Sequence, residues 1–227
     1  MLEEYKKHAE ERSSQGIPAL PLNAEQVAEL VELLKSPPVG EEKFIVDLIT
    51  NRIPAGVDPA AYVKAAFLTD VAKGKASSPL IDRLLATELL GTMLGGYNVE
   101  SLINLLDDKD VGSIAADGLC KTLLMFNAKH DVIELAKKNE NAKRVVESWS
   151  AAEWFTDRPE LPEMIKAIVF RVDGEINTDD LSPAPDAPSR PDIPLHALAM
   201  LKKTMQDPIS TIDKLKESGL PVVFVGD

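Results

Sequence analysis

Apolar residues recur at helical spacing through the first two thirds of the chain. From residue 23 to about 155 they return every three or four positions, and the breaks between stripes carry proline, glycine or asparagine. This pattern predicts a series of amphipathic helices. The predicted stripes are Val27, Leu30, Val31 and Leu34; Phe44, Ile45, Leu48 and Ile49; Tyr62, Val63, Ala66, Phe67 and Val71; Leu80, Ile81, Leu84 and Leu85; Val99, Leu102, Ile103 and Leu106; Ile114, Leu119, Leu123 and Phe126; Val132, Ile133 and Ala136; and Val145, Val146, Trp149 and Phe155.

The helices group into pairs of similar length. Asn23 and the dipeptide Asp58-Pro59 are typical helix starts, because the side chain accepts a free amide hydrogen and proline has none to lose. The pairs begin near residues 23, 58, 98 and 130. This spacing favours a solenoid of stacked helical repeats, in which each pair covers its apolar face with the next. An irregular helical bundle is the alternative.

The apolar period changes near residue 160. IKAIVFRVDG (165–174) and LPVVFVGD (220–227) are β-branched and aromatic runs typical of strands. Helices are predicted between them, near Leu195 and over STIDKLKES, and two strands are too few to close a sheet. We therefore predict a mainly α fold with a helical domain over 1–157, a linker over 158–164 and an incomplete α/β domain over 165–227.

Charge and cysteine content exclude several classes of protein. The net charge of -12 disfavours generic binding to nucleic acid or to an anionic membrane, and no run of about 18 apolar residues occurs. The charged N-terminus lacks the apolar core of a secretory signal, so the sequence predicts a cytoplasmic protein. Cys120 is the only cysteine, which rules out an internal disulfide or a metal site of several thiolates within this chain.

The candidate chemistry lies in NTDDLSPAPDAPSRPDIP (177–194). Its adjacent carboxylates are compatible with a metal loop, an acid/base site or a turn, and the turn is the default. Arg190 stands in a rigid proline frame, and its planar fork suits a carboxylate or a phosphate. A surface salt bridge to Asp186 or Asp192 is the alternative. The three histidines are interpreted as surface or capping residues rather than ligands: His8, His130 and His196.

Residues 174–201, GEINTDDLSPAPDAPSRPDIPLHALAML, resemble the start of the swivel domain of the bacterial aconitase B family. The helical part agrees, since FIVDLITNRIPAGVDPAAYVKAAFL, ELLGTMLGGYN, TLLMF and AEWFTDRP look like that family's HEAT-like N-terminal domain. The resemblance covers the whole chain, whereas the chain covers a minority of the family's length. One departure is Pro188, where the family usually has tryptophan.

The resemblance implies a lyase of the tricarboxylic acid cycle that interconverts citrate, cis-aconitate and isocitrate, often with 2-methylisocitrate as a further substrate. It implies a 4Fe-4S cluster with an open iron corner, held by three cysteines that this chain does not contain. By the same resemblance, Arg190 binds a substrate carboxylate and Asp179 pairs with an active-site histidine of another domain. The chain alone is therefore predicted to bind no cluster and to be inactive.

A second hypothesis treats the chain as a binding module. A free-standing helical-repeat domain can hold a partner instead of catalysing a reaction. The resemblance implies a homodimer formed through the helical domain and, in the cluster-free form, a possible messenger RNA partner. The acidic balance of the chain makes RNA the weaker of the two partners.

Overall fold

The computed structural model describes residues 1–122, 125 and 128–226. The chain is mainly helical, as predicted, with one small sheet. It divides into two compact units, and the second begins at Pro159 and also contains His8–Ala19. Within the described residues, no helix is long and apolar enough to cross a membrane.

Among the described residues, the regular elements of the first unit are helices. Its helices are α1 (Leu2–Ser13, which continues into the second unit), α2 (Ala24–Lys35), α3 (Glu42–Asn51), α4 (Pro59–Ala72), α5 (Arg83–Gly91), α6 (Val99–Leu105), α7 (Gly112–Lys121), α8 (Ala128–Leu135), α9 (Glu140–Ser150) and α10 (Glu153–Thr156). The predicted caps are confirmed at both helix starts. Asn23 and Gln26 form a capping box before α2, and the Asp58 carboxylate accepts the Ala60 amide hydrogen at 2.8 Å.

The helices pack as four consecutive pairs, α2 with α3, α4 with α5, α6 with α7 and α8 with α9. Successive pairs contact each other through α2 and α4, α5 and α7, and α7 and α9. The helix pairs begin at Ala24, Pro59, Val99 and Ala128, close to the predicted starts. Two predicted stripe residues, Leu123 and Phe126, lie outside the described residues. The assignment to HEAT-like repeats stays a prediction.

The predicted stripe on α4 is partly wrong. Tyr62 is 59% exposed and Ala66 is also exposed, whereas Lys64 is buried at 3% exposure. The reason is that α2 and α5 both pack on α4, so more than one face of the helix is covered. The buried alanines of α4 allow α2 and α5 to approach this helix closely. The buried residues of α4 are Ala60, Ala61, Lys64, Ala65, Phe67, Leu68, Val71 and Ala72.

The stripe predicted over 80–85 also needs correction. Asp82 caps α5, so Leu80 and Ile81 precede the helix, and Leu84 is 46% exposed. The buried face of α5 lies further along the chain and uses four other residues. These are Ala86, Thr87, Leu89 and Leu90. Two further stripe residues, Ile133 and Phe155, are exposed.

A pair of glycines lets α5 and α7 approach closely. A Cβ atom placed on Gly118 would lie 2.8 Å from the Gly91 Cα atom, and one placed on Gly91 would lie 3.0 Å from the Gly118 Cα atom. Even an alanine would therefore force the two helices apart. Glycine has a low helix propensity and weakens both helices locally, but at these two positions it allows close packing between two successive helix pairs.

The second unit contains a two-stranded parallel sheet. Its elements are β1 (Ile168–Arg171), α11 (Thr178–Leu181), a 3-10 helix (Ala184–Ser189), α12 (Ile193–Ala197), α13 (Pro208–Lys216) and β2 (Val222–Val225). Both strands fall within the predicted runs and pair in parallel. The helix predicted near Leu195 is only five residues long, because the chain turns after Ala197. The core consists of Phe170, Val172, Leu201 and Ile212.

Candidate functional site

The proline-rich segment forms ordered helical turns rather than an extended spacer. Asn177 begins them, since its side-chain oxygen accepts the amide hydrogens of Asp179 at 2.8 Å and Asp180 at 3.3 Å. The Asp180 carboxylate accepts the Asn177 amide hydrogen at 3.0 Å in return. This reciprocal cap fixes the start of α11, after which prolines set the backbone of the 3-10 helix and the first turn of α12.

The two adjacent carboxylates have different environments. Asp180 closes the cap with its side chain, and its backbone oxygen accepts the amide hydrogen of buried Leu201 at 2.7 Å. Asp179 is exposed, and its carboxylate has no hydrogen-bond or ion-pair partner within the described part of the chain. Asp180 therefore has a structural role, whereas the Asp179 carboxylate faces solvent and is available to a group from outside this chain.

Arg190 follows the 3-10 helix and is exposed. Its backbone amide donates to the Ala187 oxygen at 3.0 Å, which fixes the start of the side chain. One guanidinium nitrogen donates to the Ser182 backbone oxygen at 3.1 Å. Among residues 1–122, 125 and 128–226, no carboxylate forms an ion pair with Arg190. The guanidinium therefore has donors that are not used by the described residues.

Both carboxylates that could have neutralised Arg190 are paired with other cations. Asp186 accepts from the Lys202 ammonium, with both oxygens within 2.7 Å of Nζ. Asp192 pairs with the guanidinium of Arg12 at 2.7 Å. The alternative of a surface salt bridge from Arg190 to Asp186 or Asp192 is therefore wrong, since both carboxylates pair with other cations.

Arg12 is a site neighbour that sequence reasoning did not find. Its side chain is only 11% exposed, and its Nε donates to the Pro18 oxygen at 2.5 Å. Its partner Asp192 also caps α12 by accepting the Leu195 amide hydrogen at 3.1 Å. Arg12 thus stabilises the segment two residues beyond Arg190. No sequence signal could link Arg12 to Asp192, because the two lie far apart along the chain.

His196 lies between two serines of the same segment. Its Nε2 atom is 2.8 Å from the Ser182 hydroxyl, and its Nδ1 atom is 2.8 Å from the Ser189 hydroxyl. The side chain is half-buried. The interpretation of His196 as a plain surface or capping residue therefore understates its role, because both ring nitrogens contact the turns that carry Arg190.

Pro188 lies inside the 3-10 helix and is exposed. The hydrogen bonds that hold Arg190 go to Ala187 and Ser182, and neither of them involves Pro188.

The residues of this chain do not fit an iron-sulfur cluster. Cys120, at the end of α7, is the only thiol in the sequence, and a cluster of this kind needs several thiolates. Among the described residues there is also no group of three histidine, cysteine or carboxylate side chains that could hold a metal ion. Arg190 stays the candidate substrate-binding residue of this chain.

Comparison with known proteins matches both units. Residues 4–155 match the family described as Aconitate B N-terminal domain, and residues 167–227 match Aconitate hydratase 2 N-terminus. Aconitate hydratase B of Pseudomonas aeruginosa is 59% identical over 238 residues, covering 100% of this chain and 27% of the relative. The proteins of the same name from Escherichia coli and Helicobacter pylori are 57% and 49% identical, each over 100% of this chain and 28% and 27% of their own lengths.

Proposed function

The chain belongs to the Aconitate B N-terminal domain family, and from this premise we propose that it is the N-terminal part of an aconitate hydratase. The whole enzyme would interconvert citrate, cis-aconitate and isocitrate in the cytoplasm, with 2-methylisocitrate as a further substrate. The chain spans about 27% of the length of its relatives, so most of the active site would come from residues outside it.

One observation supports this proposal, namely that the guanidinium of Arg190 has no carboxylate partner among residues 1–122, 125 and 128–226. Lys202 and Arg12 occupy the two nearby carboxylates, and short helical turns fix the backbone on either side. A tricarboxylate substrate has several carboxylates to orient, and a bidentate arginine fixes both the position and the angle of one of them. We assign that role to Arg190.

Asp179 is the second residue of this chain in the proposed site. Its carboxylate is exposed, while the neighbouring Asp180 is used in the cap. We propose that Asp179 accepts a hydrogen bond from a histidine of another domain and so holds the ring in one tautomer and orientation. Such a residue positions a catalytic group and makes no bond to the substrate itself.

The cluster implied by the family would be held by cysteines outside these 227 residues, because this chain has only Cys120. When bound, it would act as a Lewis acid on the substrate hydroxyl. The residues described here would contribute binding and orientation of the substrate, and no step of the cluster chemistry is assigned to them.

The test is to compare this chain with a full-length enzyme that begins with the same 227 residues. After anaerobic reconstitution with iron and sulfide, we expect cluster absorption and cis-aconitate hydration in the full-length enzyme only. The chain alone should show neither, since the thiolates are absent. Stoichiometric cluster binding by the chain alone would contradict the assignment of the ligands to other domains, and a full-length enzyme inactive on cis-aconitate would contradict the proposed reaction.

A second proposed role is self-association through the helical unit. Tyr62 and Tyr97 are 59% and 40% exposed and form an edge-to-face pair beside a cavity of about 380 Å³. Exposed aromatic residues are enriched in protein interfaces. Messenger RNA is a weaker candidate partner, because Asp70 and Glu100 line the same cavity and the net charge is -12.

Sedimentation of the chain tests this second role. We expect a concentration-dependent dimer that Tyr62→Ala combined with Tyr97→Ala weakens by at least about tenfold in Kd, since aromatic residues dominate interface energetics. Lys73→Ala, at an exposed position at the end of α4, is the matched control. A chain that stays monomeric at high concentration, or a dimer that the tyrosine substitutions do not affect, would remove this surface from consideration.

A further inference from the structure

The hydrogen bonds around His196 determine which of its ring nitrogens carries the hydrogen in the neutral form. The Ser189 hydroxyl donates to the Asp186 backbone oxygen at 2.7 Å. A hydroxyl has one hydrogen, so Ser189 can only accept from the ring nitrogen Nδ1, 2.8 Å away. In the neutral ring the hydrogen is therefore on Nδ1, and Nε2 accepts from the Ser182 hydroxyl at 2.8 Å.

The two serines belong to the two turns that hold Arg190. Ser189 directly precedes Arg190 in the chain, and Ser182 provides the backbone oxygen that accepts from the Arg190 guanidinium at 3.1 Å. One imidazole thus connects the turn from which the arginine side chain starts with the turn that its end contacts. The six residues between these serines include three prolines, which limits how far the turns can separate without breaking the bridge.

Two cations also support this segment, but at other residues. Lys202 holds the Asp186 side chain, and Arg12 holds Asp192 beyond the arginine. Neither cation contacts Ser182. His196 is therefore the side chain that links the Ser182 turn to the Ser189 turn. Without His196, the Ser182 turn would be free to move relative to Arg190.

We infer that His196 is a positioning residue for Arg190, holding it through Ser182 and Ser189 in the orientation that receives a substrate carboxylate. This inference rests on the proposed function, because it presumes that Arg190 binds the substrate. His196 itself makes no contact with substrate. Its neutral form with the hydrogen on Nδ1 fits the bridge, and no proton transfer is assigned to it.

The bridge is tested first in the 227-residue chain, without any enzyme assay. In ¹⁵N spectra recorded at alkaline pH, we expect Nδ1 of His196 to resonate as a protonated nitrogen and Nε2 as an unprotonated one. The Ser189→Ala variant removes the partner of Nδ1, so we expect it to shift the His196 signals and broaden the Arg190 side-chain resonances. The opposite tautomer, or spectra unchanged by Ser189→Ala, would overturn the bridge.

A double-mutant cycle in the full-length enzyme tests the positioning role. We expect His196→Ala to lower kcat/KM by about tenfold when Arg190 is present and by less than about twofold in the Arg190→Ala background, since a positioning residue acts only through its target. Ser189→Ala, which keeps the ring, should reproduce the coupling with a smaller loss. His130→Ala, at an exposed histidine of the helical unit, is the control and should leave kcat/KM unchanged.

The outcomes of the cycle separate the two hypotheses. Equal losses from His196→Ala in both backgrounds would mean that the ring supports the fold and not Arg190, and this would overturn the inference alone. A loss from Arg190→Ala with none from His196→Ala would do the same. Unchanged kinetics in Arg190→Ala would overturn the proposed function of Arg190, and the inference with it, whatever the spectra show about the bridge.

Discussion

In a full-length enzyme that begins with this sequence, we expect Arg190→Lys to lower kcat/KM by about ten- to a thousand-fold, or about 1.4 to 4 kcal/mol of transition-state stabilisation. Lysine keeps the positive charge but presents a single point of contact instead of a planar fork. A substrate carboxylate then loses its fixed angle, which is needed to align the rest of the molecule with the reacting centre.

Folding should be unaffected by this substitution. Arg190 is exposed, and within the described part of the chain its side chain makes one hydrogen bond, to the Ser182 oxygen. The melting temperature is therefore expected to stay within error of the parent protein. Steady-state kinetics on cis-aconitate, at matched cluster content and alongside a melting curve, separate a change in the site from a change in the fold.

Arg171→Lys is the matched control, because Arg171 is 72% exposed and its guanidinium pairs with Asp173 on the surface of the same unit. It makes the same chemical change away from Arg190, and we expect kcat/KM to stay within about twofold. Equal kinetics for the parent and for Arg190→Lys would remove Arg190 from the substrate site.

The second large effect concerns the buried Lys64. The side chain is 3% exposed, and among the described residues its Nζ donates to the Thr50 oxygen alone, at 3.5 Å. Burial lowers the pKa of Lys64 from 10.5 to about 8, because the charged form loses its hydration. At neutral pH the ammonium is still charged in both states, so the folded chain carries the full cost of desolvation.

Lys64→Met should raise the free energy of unfolding by about 3 kcal/mol at pH 7, on the order of the cost of a shift from 10.5 to about 8. In the parent, the folded state releases its proton near pH 8 and the unfolded state near 10.5, so this group adds stability as pH rises between them. Lys64→Met lacks this group, so its free energy of unfolding does not show that increase with pH. Urea unfolding from pH 7 to about pH 10 measures the difference.

Lys73→Met is the control for Lys64, because Lys73 is exposed and follows the end of the same helix. Its unfolding free energy should follow the pH dependence of the parent and differ from it by less than about 0.5 kcal/mol. If Lys64→Met destabilises the chain at pH 7, or if its advantage over the parent does not shrink toward pH 10, then the ammonium is better solvated than the structure indicates.

Local signals in the sequence predicted local structure well. Asn23 and Asp58 mark helix starts because their hydrogen bonds reach only two or three residues along the chain, and β-branched runs mark both strands for a similar reason. The faces of α4 were not predictable in this way. Lys64 is buried and Tyr62 exposed because two other helices cover α4, and their positions depend on the whole set of pairs.

In the candidate site, too, local features could be predicted and contacts between separate parts of the chain could not. The proline frame and the fork of Arg190 can be recognised in the sequence, since both are properties of neighbouring residues. The pairing of Asp192 with Arg12 could not be, because it requires knowledge of which distant segments meet. The bridge from His196 to Ser182 lies within one segment, but it depends on how the intervening turns fold back on each other. The roles of Arg190 and Asp179 toward a substrate stay predictions.

The pairing of Arg12 with Asp192 also has a consequence for synthesis. The ribosome adds about 5 to 20 residues per second, so Arg12 is incorporated roughly 10 to 40 seconds before its partner Asp192. Helices of the intervening unit can pair as they emerge, since their contacts are local. During that time water hydrates the Arg12 guanidinium in place of the Asp192 carboxylate, and the surroundings of Arg190 are completed only after Asp192 has been made.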